Sequence, residues 1–95
     1  MVVGILKVRL TLREARSLKD KRRTLRSLKD RLRGSFNVSI AEVDAQDMIQ
    51  SAVLAVAAVS QDGRYVQGML GQSLNLMKQC RDAQIADHSI ELMHC

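Results

Sequence analysis

Proline and tryptophan are both missing from the 95 residues of this chain. Aromatic side chains are limited to Phe36 and Tyr65, so Leu, Val, Ile, Ala and Met have to fill any hydrophobic core. The scarcity of aromatics argues against a domain that stacks RNA bases on aromatic rings of its sheet. Neither a proline-rich nor a Gly/Ser-rich stretch interrupts the chain, and we therefore expect one domain over residues 1–95.

Cysteines and long apolar runs are also scarce. Cys80 and Cys95 are the two cysteines, too few for a disulfide framework, and we expect them to be reduced thiols. No apolar run approaches the roughly 20 residues that a membrane-spanning helix needs. The first twelve residues, MVVGILKVRLTL, carry charges inside their apolar run, which argues against a signal peptide. These features predict a cytoplasmic protein that has no membrane partner.

Positive charge is concentrated in the first third of the chain. Residues 1–34 hold twelve Lys and Arg and three Asp and Glu, a net charge of +9, whereas residues 35–95 have a net charge of −4. The whole chain carries +5. Such asymmetry favours a polyanionic partner, although it does not determine a fold.

The same basic third predicts a strand followed by a helix. In residues 4–12, GILKVRLTL, apolar and polar side chains alternate, which is the period of a strand with one buried face. Residues 17–34, SLKDKRRTLRSLKDRLRG, have leucines at helical spacing. Ser17 is the predicted N-cap, Asp20 lies at the third helical position, and Gly34 is the predicted stop.

The middle of the chain predicts two strands joined by an acidic turn. Residues 36–43 alternate until Ala41 and Val43 break the phase, which indicates a bulge. DAQD, residues 44–47, is typical of a turn. The run MIQSAVLAVAAVS, residues 48–60, fits a buried helix on periodicity alone, but its bounding turns favour a strand.

The last third predicts a helix and a final strand. From Tyr65 to Cys80 the apolar residues fall at helical spacing. The final segment, QIADHSIELMH, predicts a strand whose in-phase residues are Ala86, His88, Ile90 and Leu92. His88 is expected to pack against the core rather than to bind a metal.

The order β-α-β-β-α-β is the ferredoxin-like α+β pattern, a four-stranded antiparallel sheet with two helices on one face. In the third strand, both alternate rows of side chains are apolar, so one row has to face away from the helices. A partner subunit would cover that row better than water. We therefore expect a homodimer through the uncovered sheet face.

Residues 15–47, ARSLKDKRRTLRSLKDRLRGSFNVSIAEVDAQD, carry a resemblance to a known family. The run SLKDKR followed by FNVSIAEVD at this spacing resembles the signature region of the YlxP-like family of small bacterial proteins. The resemblance implies a ferredoxin-like fold and a setting linked to translation and ribosome maturation, but no established activity. Members often carry a tryptophan after the acidic turn, where this chain has Met48 and Ile49.

The basic flank of the first helix is the strongest candidate for a binding site. Its cations lie near the positive end of the helix dipole, and several pair with another cation at i,i+4, both of which disfavour the helix. A bound polyanion would relieve both costs. Arg13 and Arg16 in the preceding loop would extend the basic flank past the helix N-terminus, where free backbone N–H groups also attract anions. The alternative is a solvated flank whose long stems cover apolar surface. The predicted phosphate-binding residues are Arg13, Arg16, Lys19, Arg22, Arg23, Arg26 and Arg33.

Other candidate sites are weaker. Glu42, Asp44 and Asp47 surround the predicted turn, where they either hold Mg²⁺ or simply solvate a hairpin. The second outcome is the more common one, so we predict no metal site. The chain shows no catalytic arrangement and no phosphate-binding glycine loop, and we expect neither enzymatic activity nor a cofactor.

Two hypotheses for function follow from these patterns. The first is a non-enzymatic RNA-binding accessory protein, linked to translation or ribosome maturation by the resemblance, that contacts phosphates through the basic helix. Its expected partner is RNA, with ribosomal RNA as the leading candidate. The alternative is a homo-oligomeric protein-interaction module in which the basic helix docks an acidic protein partner.

Overall fold

The computed structural model describes residues 1–95 and contains the six expected elements in the expected order. Their bounds are β1 (Val2–Thr11), α1 (Leu18–Ser35), β2 (Ser39–Asp44), β3 (Ser51–Ser60), α2 (Gly63–Lys78) and β4 (Gln84–His94). The run at 51–60, which also fits a helix by periodicity, is a strand. The ferredoxin-like α+β prediction is therefore confirmed.

All four strands form one antiparallel sheet in the order β2-β3-β1-β4. β1 and β3 are the central strands, and β2 and β4 are the two edges. Each helix connects two strands that are not neighbours, α1 between β1 and β2 and α2 between β3 and β4. Neither helix combines the length and the apolar composition needed to cross a bilayer.

The hydrophobic core lies between the helices and one face of the sheet. On β3 the row that faces the helices is buried, from Ala52 to Ala58 at alternate positions. α1 contributes Leu25, Leu28 and Leu32 to the same core. The predicted apolar face of α2 is buried in full; its members are Val66, Met69, Leu70, Ser73, Leu74 and Met77.

Side chains of α2 pack directly against the backbone of β1 at Gly4. A Cβ atom built there would lie 2.5 Å from Val66 Cγ1 and 2.8 Å from Leu70 Cδ1, both on α2. It would also lie 3.0 Å from Leu92 Cδ2 on β4. A side chain at this position is therefore excluded by packing and not by backbone conformation, since no glycine in the chain has a positive φ.

The ends of α1 show one prediction confirmed and one wrong. The Ser17 hydroxyl accepts a hydrogen bond from the Asp20 backbone N–H at 3.1 Å, as expected of an N-cap. Gly34 does not stop the helix, which continues to Ser35. The reason is that Phe36 packs against the core and its N–H still bonds Leu32 O at 2.9 Å, so the last turn is held past the glycine.

Two bulges alter the side-chain phase near the sheet edges. The register of β2 against β3 shifts between Glu42 and Asp44, which confirms the predicted bulge and places it at Val43. β4 shifts at Ala86, so Ile85 takes the inward position that was predicted for Ala86. A regular strand would alternate through Ala86, and the bulge there breaks the alternation.

The prediction that His88 packs into the core is also wrong. His88 pairs with Val8 and lies on the helix side of the sheet, but it is exposed. β4 is an edge strand, and α2 covers only part of it. Position in the sheet, which the residue pattern does not encode, therefore decides the exposure of this side chain.

Candidate nucleic-acid interface

A buried lysine joins α1 to the β2–β3 turn. Lys21 is 1% exposed, and its Nζ donates hydrogen bonds to Ala45 O at 2.7 Å and Met48 O at 2.6 Å. The same Nζ lies 2.9 Å from Glu42 Oε2. A third hydrogen bond reaches Gln46 O at 3.5 Å, so all three N–H donors of the ammonium group meet turn carbonyls, and the Glu42 carboxylate supplies the counter-charge. Glu42 Oε2 is itself buried without a directed hydrogen bond, and its contact with Lys21 is therefore ionic in character.

Sequence reasoning missed the role of Lys21, although a signal for it was present. Lys21 lies four residues before Leu25 and seven before Leu28, which places it on the apolar stripe of α1. A lysine within such a stripe has to find buried acceptors. The acidic turn supplies them.

The turn held by Lys21 is further ordered by its own hydrogen bonds. Ala45 has a φ of 58°, unusual for a residue with a side chain, and its N–H bonds the Asp44 carboxylate at 2.8 Å. Met48 N donates to Ala45 O at 3.1 Å. The acids considered for Mg²⁺ are thus separated, since Glu42 faces Lys21 and Asp44 caps the backbone. No three His, Cys, Asp or Glu side chains come together in a way that could hold a metal ion.

Four of the helix cations border one depression beside β2, which we call the basic groove. It has a volume of about 280 Å³ and is lined by Arg22, Leu25, Arg26, Lys29, Arg33 and Glu42. The Arg33 guanidinium donates to Ile40 O on β2 at 3.3 Å, which ties the far end of the groove to the sheet edge. The groove therefore runs along α1 with one wall formed by β2.

The basic groove has no acid of its own left to balance its charge. Glu42 is the single carboxylate in its lining, and it already pairs with Lys21. Lys21–Glu42 is the one ion pair in the structure, so Arg22, Arg26 and Arg33 lack a carboxylate within 4.0 Å. An anion entering the groove would meet cations that are not already neutralised.

The other predicted site residues are not brought into this groove. Arg13 and Arg16 line a larger cleft of about 720 Å³ between the β1–α1 loop and residues 47–51. Arg23 borders a third depression together with Glu14, Asp20 and Asp82, where acids surround it. Lys19 is exposed on the solvent side of α1.

The N-terminus of α1 is less open to an outside anion than expected. The Asp20 carboxylate accepts the Arg16 N–H at 3.0 Å, and the Ser17 hydroxyl takes the Asp20 N–H. Two backbone N–H groups near the start of the helix are therefore already bonded, and the Asp20 carboxylate places a negative charge beside them.

The sheet face away from the helices combines apolar and charged side chains. The expected apolar row on β3 runs at alternate positions from Val53 to Val59, and the exposure rises from 5% at Val53 to 60% at Val59. Lys7 and Arg9 of β1 stand beside this row and are exposed. The uncovered face is thus apolar near Val59 and basic near Arg9.

The fold defines a small ferredoxin-like α+β protein, and α1 carries the basic groove along one side. A family model described as "Protein of unknown function (DUF503)" matches residues 3–90, and the chain belongs to that family. It is similar to the uncharacterized protein YlxP of Bacillus subtilis (strain 168), with 37% identity over 59 residues. The match covers 62% of this chain and 64% of that relative, less than two thirds of its length. The YlxP-like resemblance is therefore confirmed.

Solved structures show the same fold at low sequence identity. The de novo designed protein Foldit4 aligns with a TM-score of 0.58 and 10% identity, over 100% of this chain and 99% of that one. The structural-genomics protein YJCS aligns with a TM-score of 0.55 and 7% identity, over 97% and 99% of the two chains. At these identities the likeness extends to the fold alone.

Proposed function

We propose that this protein is a non-enzymatic RNA-binding accessory protein that contacts the phosphate backbone through the basic groove. The observation that carries the proposal is the set of unpaired cations along one side of α1, next to a glutamate that Lys21 already neutralises. A translation-linked partner such as ribosomal RNA is the leading candidate, because the family resemblance implies that setting.

The groove is suited to position RNA rather than to read its bases. Its polar groups are mainly guanidinium and ammonium donors, which recognise phosphate oxygens that every nucleotide shares. Neither Phe36 nor Tyr65 lines it, so stacking of a base on an aromatic ring has no counterpart there. We therefore expect slight sequence preference and strong dependence on salt.

The dependence of RNA affinity on salt tests the proposal. If about four phosphates are engaged, a short single-stranded RNA should bind with a log–log salt slope near −3, from about −0.7 per phosphate. In the groove variant, Arg22, Arg26 and Arg33 are all replaced by Gln. This variant should have a slope about two units flatter and a lower affinity for every RNA alike. Fluorescence anisotropy over a salt series measures both quantities.

A matched variant controls for net charge. Arg23, Arg31 and Arg64 lie outside the groove, so changing all three to Gln removes the same charge without touching it. That control should retain most of the slope. An unchanged slope in the groove variant, or equal losses in both variants, would contradict phosphate binding by the groove.

The alternative partner is an acidic protein that docks on the same cations. Under this alternative, a defined acidic protein should copurify with the chain after nuclease treatment, and it should no longer copurify with the groove variant. RNA that binds with the expected salt slope, together with no such protein, favours the RNA-binding function.

A further inference from the structure

β4 is a long strand with one side of its backbone free. It spans eleven residues, against six for the other edge strand β2, and pairs with β1 alone. After the bulge at Ala86, residues 87–94 continue in regular register. No Lys, Arg or Pro occurs between Gln84 and His94, although such residues commonly protect exposed edges.

The free hydrogen-bonding groups of β4 belong to its even-numbered residues. His88 N bonds the Asp87 carboxylate at 2.9 Å and not β1, so it points out of the sheet. Cys95 N bonds Met1 O at 2.8 Å, so the odd-numbered positions point inward. Because the direction alternates along a strand, the N–H and C=O groups of Ile90 and Leu92 also face outward.

Apolar side chains accompany this free edge. Ile90 is 38% exposed and Met93 is 39% exposed, on opposite faces of the sheet. The Asp87 carboxylate over His88 N and the bulge at Ala86 both lie in the first half of the strand, and Glu91 is the one carboxylate in the second half. The second half of β4 offers backbone donors, acceptors and apolar surface together.

We propose that a second copy of this chain pairs with β4 in antiparallel orientation, with Ile90 opposite Ile90 of the partner. In this register the backbone N–H of each Ile90 donates a hydrogen bond to the C=O of the partner's Ile90, across a two-fold axis. His88 faces the partner's Leu92, and Ser89 faces the partner's Glu91. A symmetric contact of this kind closes at two subunits.

Charge selects this register over its neighbours. A two-fold axis at Ser89 would place Asp87 opposite the partner's Glu91. An axis at Glu91 would place Glu91 opposite the partner's Glu91. Like charges directly opposite each other in a sheet are destabilising. An axis at His88 avoids that repulsion but brings the bulge at Ala86 into the middle of the interface.

The pairing would produce one continuous eight-stranded sheet with all four helices on the same face. The β2 edges, and with them the two basic grooves, would lie at its outer ends. Seven strand spacings of about 4.8 Å place them roughly 34 Å apart. The dimer does not depend on RNA, so it can be tested separately from the proposed function.

Cysteine cross-linking tests the register directly. In a Cys80→Ser, Cys95→Ser background, Ile90→Cys should form a covalent dimer on oxidation, since facing residues of a hydrogen-bonded pair lie about 5.5 Å apart at Cα. Asp87→Cys is the control. In the proposed register the two Asp87 residues lie six positions apart along the paired strands, a distance of about 20 Å. The control should remain unlinked.

Three outcomes would overturn the proposal. One is a monomer in sedimentation of the unaltered chain at micromolar concentration, and another is equal cross-linking of both variants. The third is a covalent dimer from Ala57→Cys instead, which would place the interface on the uncovered sheet face. Ile90→Lys provides a check without oxidation, because it should convert the dimer to a monomer while the circular dichroism spectrum is preserved.

Discussion

The two edges of the sheet are stabilised in different ways. β2 is short and bulged, and α1 reaches it through two cations: Lys21 at the following turn and Arg33 at Ile40 O. β4 is nearly twice as long, and most of its side chains are exposed. Cations of α1 therefore stabilise the β2 edge, whereas the β4 edge depends on its pairing with β1 and on packing against α2.

This difference also explains where the positive charge of the chain lies. One lysine of α1 is buried as an internal cation for the acidic turn, and its neighbours Arg22 and Arg26 stay free at the surface. The cations at the start of α1 therefore divide into a buried, structural one and several that stay unpaired at the surface. A single stretch of sequence supplies both.

The largest expected effect comes from breaking the contact at the β2 side. Lys21→Met would leave the buried Oε2 atom of Glu42 without its cation and would remove the donor to three turn carbonyls, which costs about 3–5 kcal/mol. Urea unfolding at pH 7 measures the loss. Hydrogen exchange should accelerate in residues 44–48 and β2 while β4 changes little.

Glu42→Gln is the matched control for that prediction. It keeps an acceptor for the Lys21 ammonium and removes only the charge, so we expect a smaller loss, on the order of 1–3 kcal/mol. A loss below about 1 kcal/mol for Lys21→Met would show that the buried ammonium does not stabilise the β2 edge.

An intermediate effect is expected at the β4 side from Gly4→Ala. The added methyl group would meet Val66, Leu70 and Leu92 at distances that force α2 or β4 to move, and such overpacking costs about 1–3 kcal/mol. Thermal unfolding measures it. Gly68→Ala on the exposed face of α2 has open space around it and should instead stabilise the protein by up to about 1 kcal/mol. Equal effects at the two glycines would argue against close packing of α2 over Gly4.

The smallest effect concerns the free cations of α1. Arg22→Gln removes a like charge from Lys19 and Arg26 and from the positive end of the helix dipole, so stability should rise by about 0.5 kcal/mol. Lys78→Gln is the comparison variant, because it removes a cation from the last turn of α2, where a cation is favourable, and it should lower stability slightly. Denaturant midpoints at low salt compare the two, and effects of the same sign would contradict the dipole explanation.

Local patterns predicted much of the fold. The cap at Ser17, the burial of the α2 stripe and the bulge near Val43 each depend on residues within a few positions of one another. Gly34 was wrongly expected to end α1, because a contact between Phe36 and the core outweighs the usual preference for glycine at a helix end.

The candidate site was predicted only in part. Helical spacing correctly indicated a basic flank, but it grouped Arg23 with Arg22 and Arg26, and the structure places Arg23 among acids on another side. Spacing gives the angle of a side chain around the helix. It does not reveal which strand or loop stands beside that angle.

The sequence by itself determined the order of the elements, their apolar faces and the excess of cations on α1, because periodicity and capping are short-range properties of the chain. Only the tertiary structure decided that Lys21 is buried, that β2 forms one wall of a basic groove and that β4 is a free edge. Each of these depends on contacts between residues distant in sequence, such as Lys21 with Met48, and no local pattern specifies such contacts.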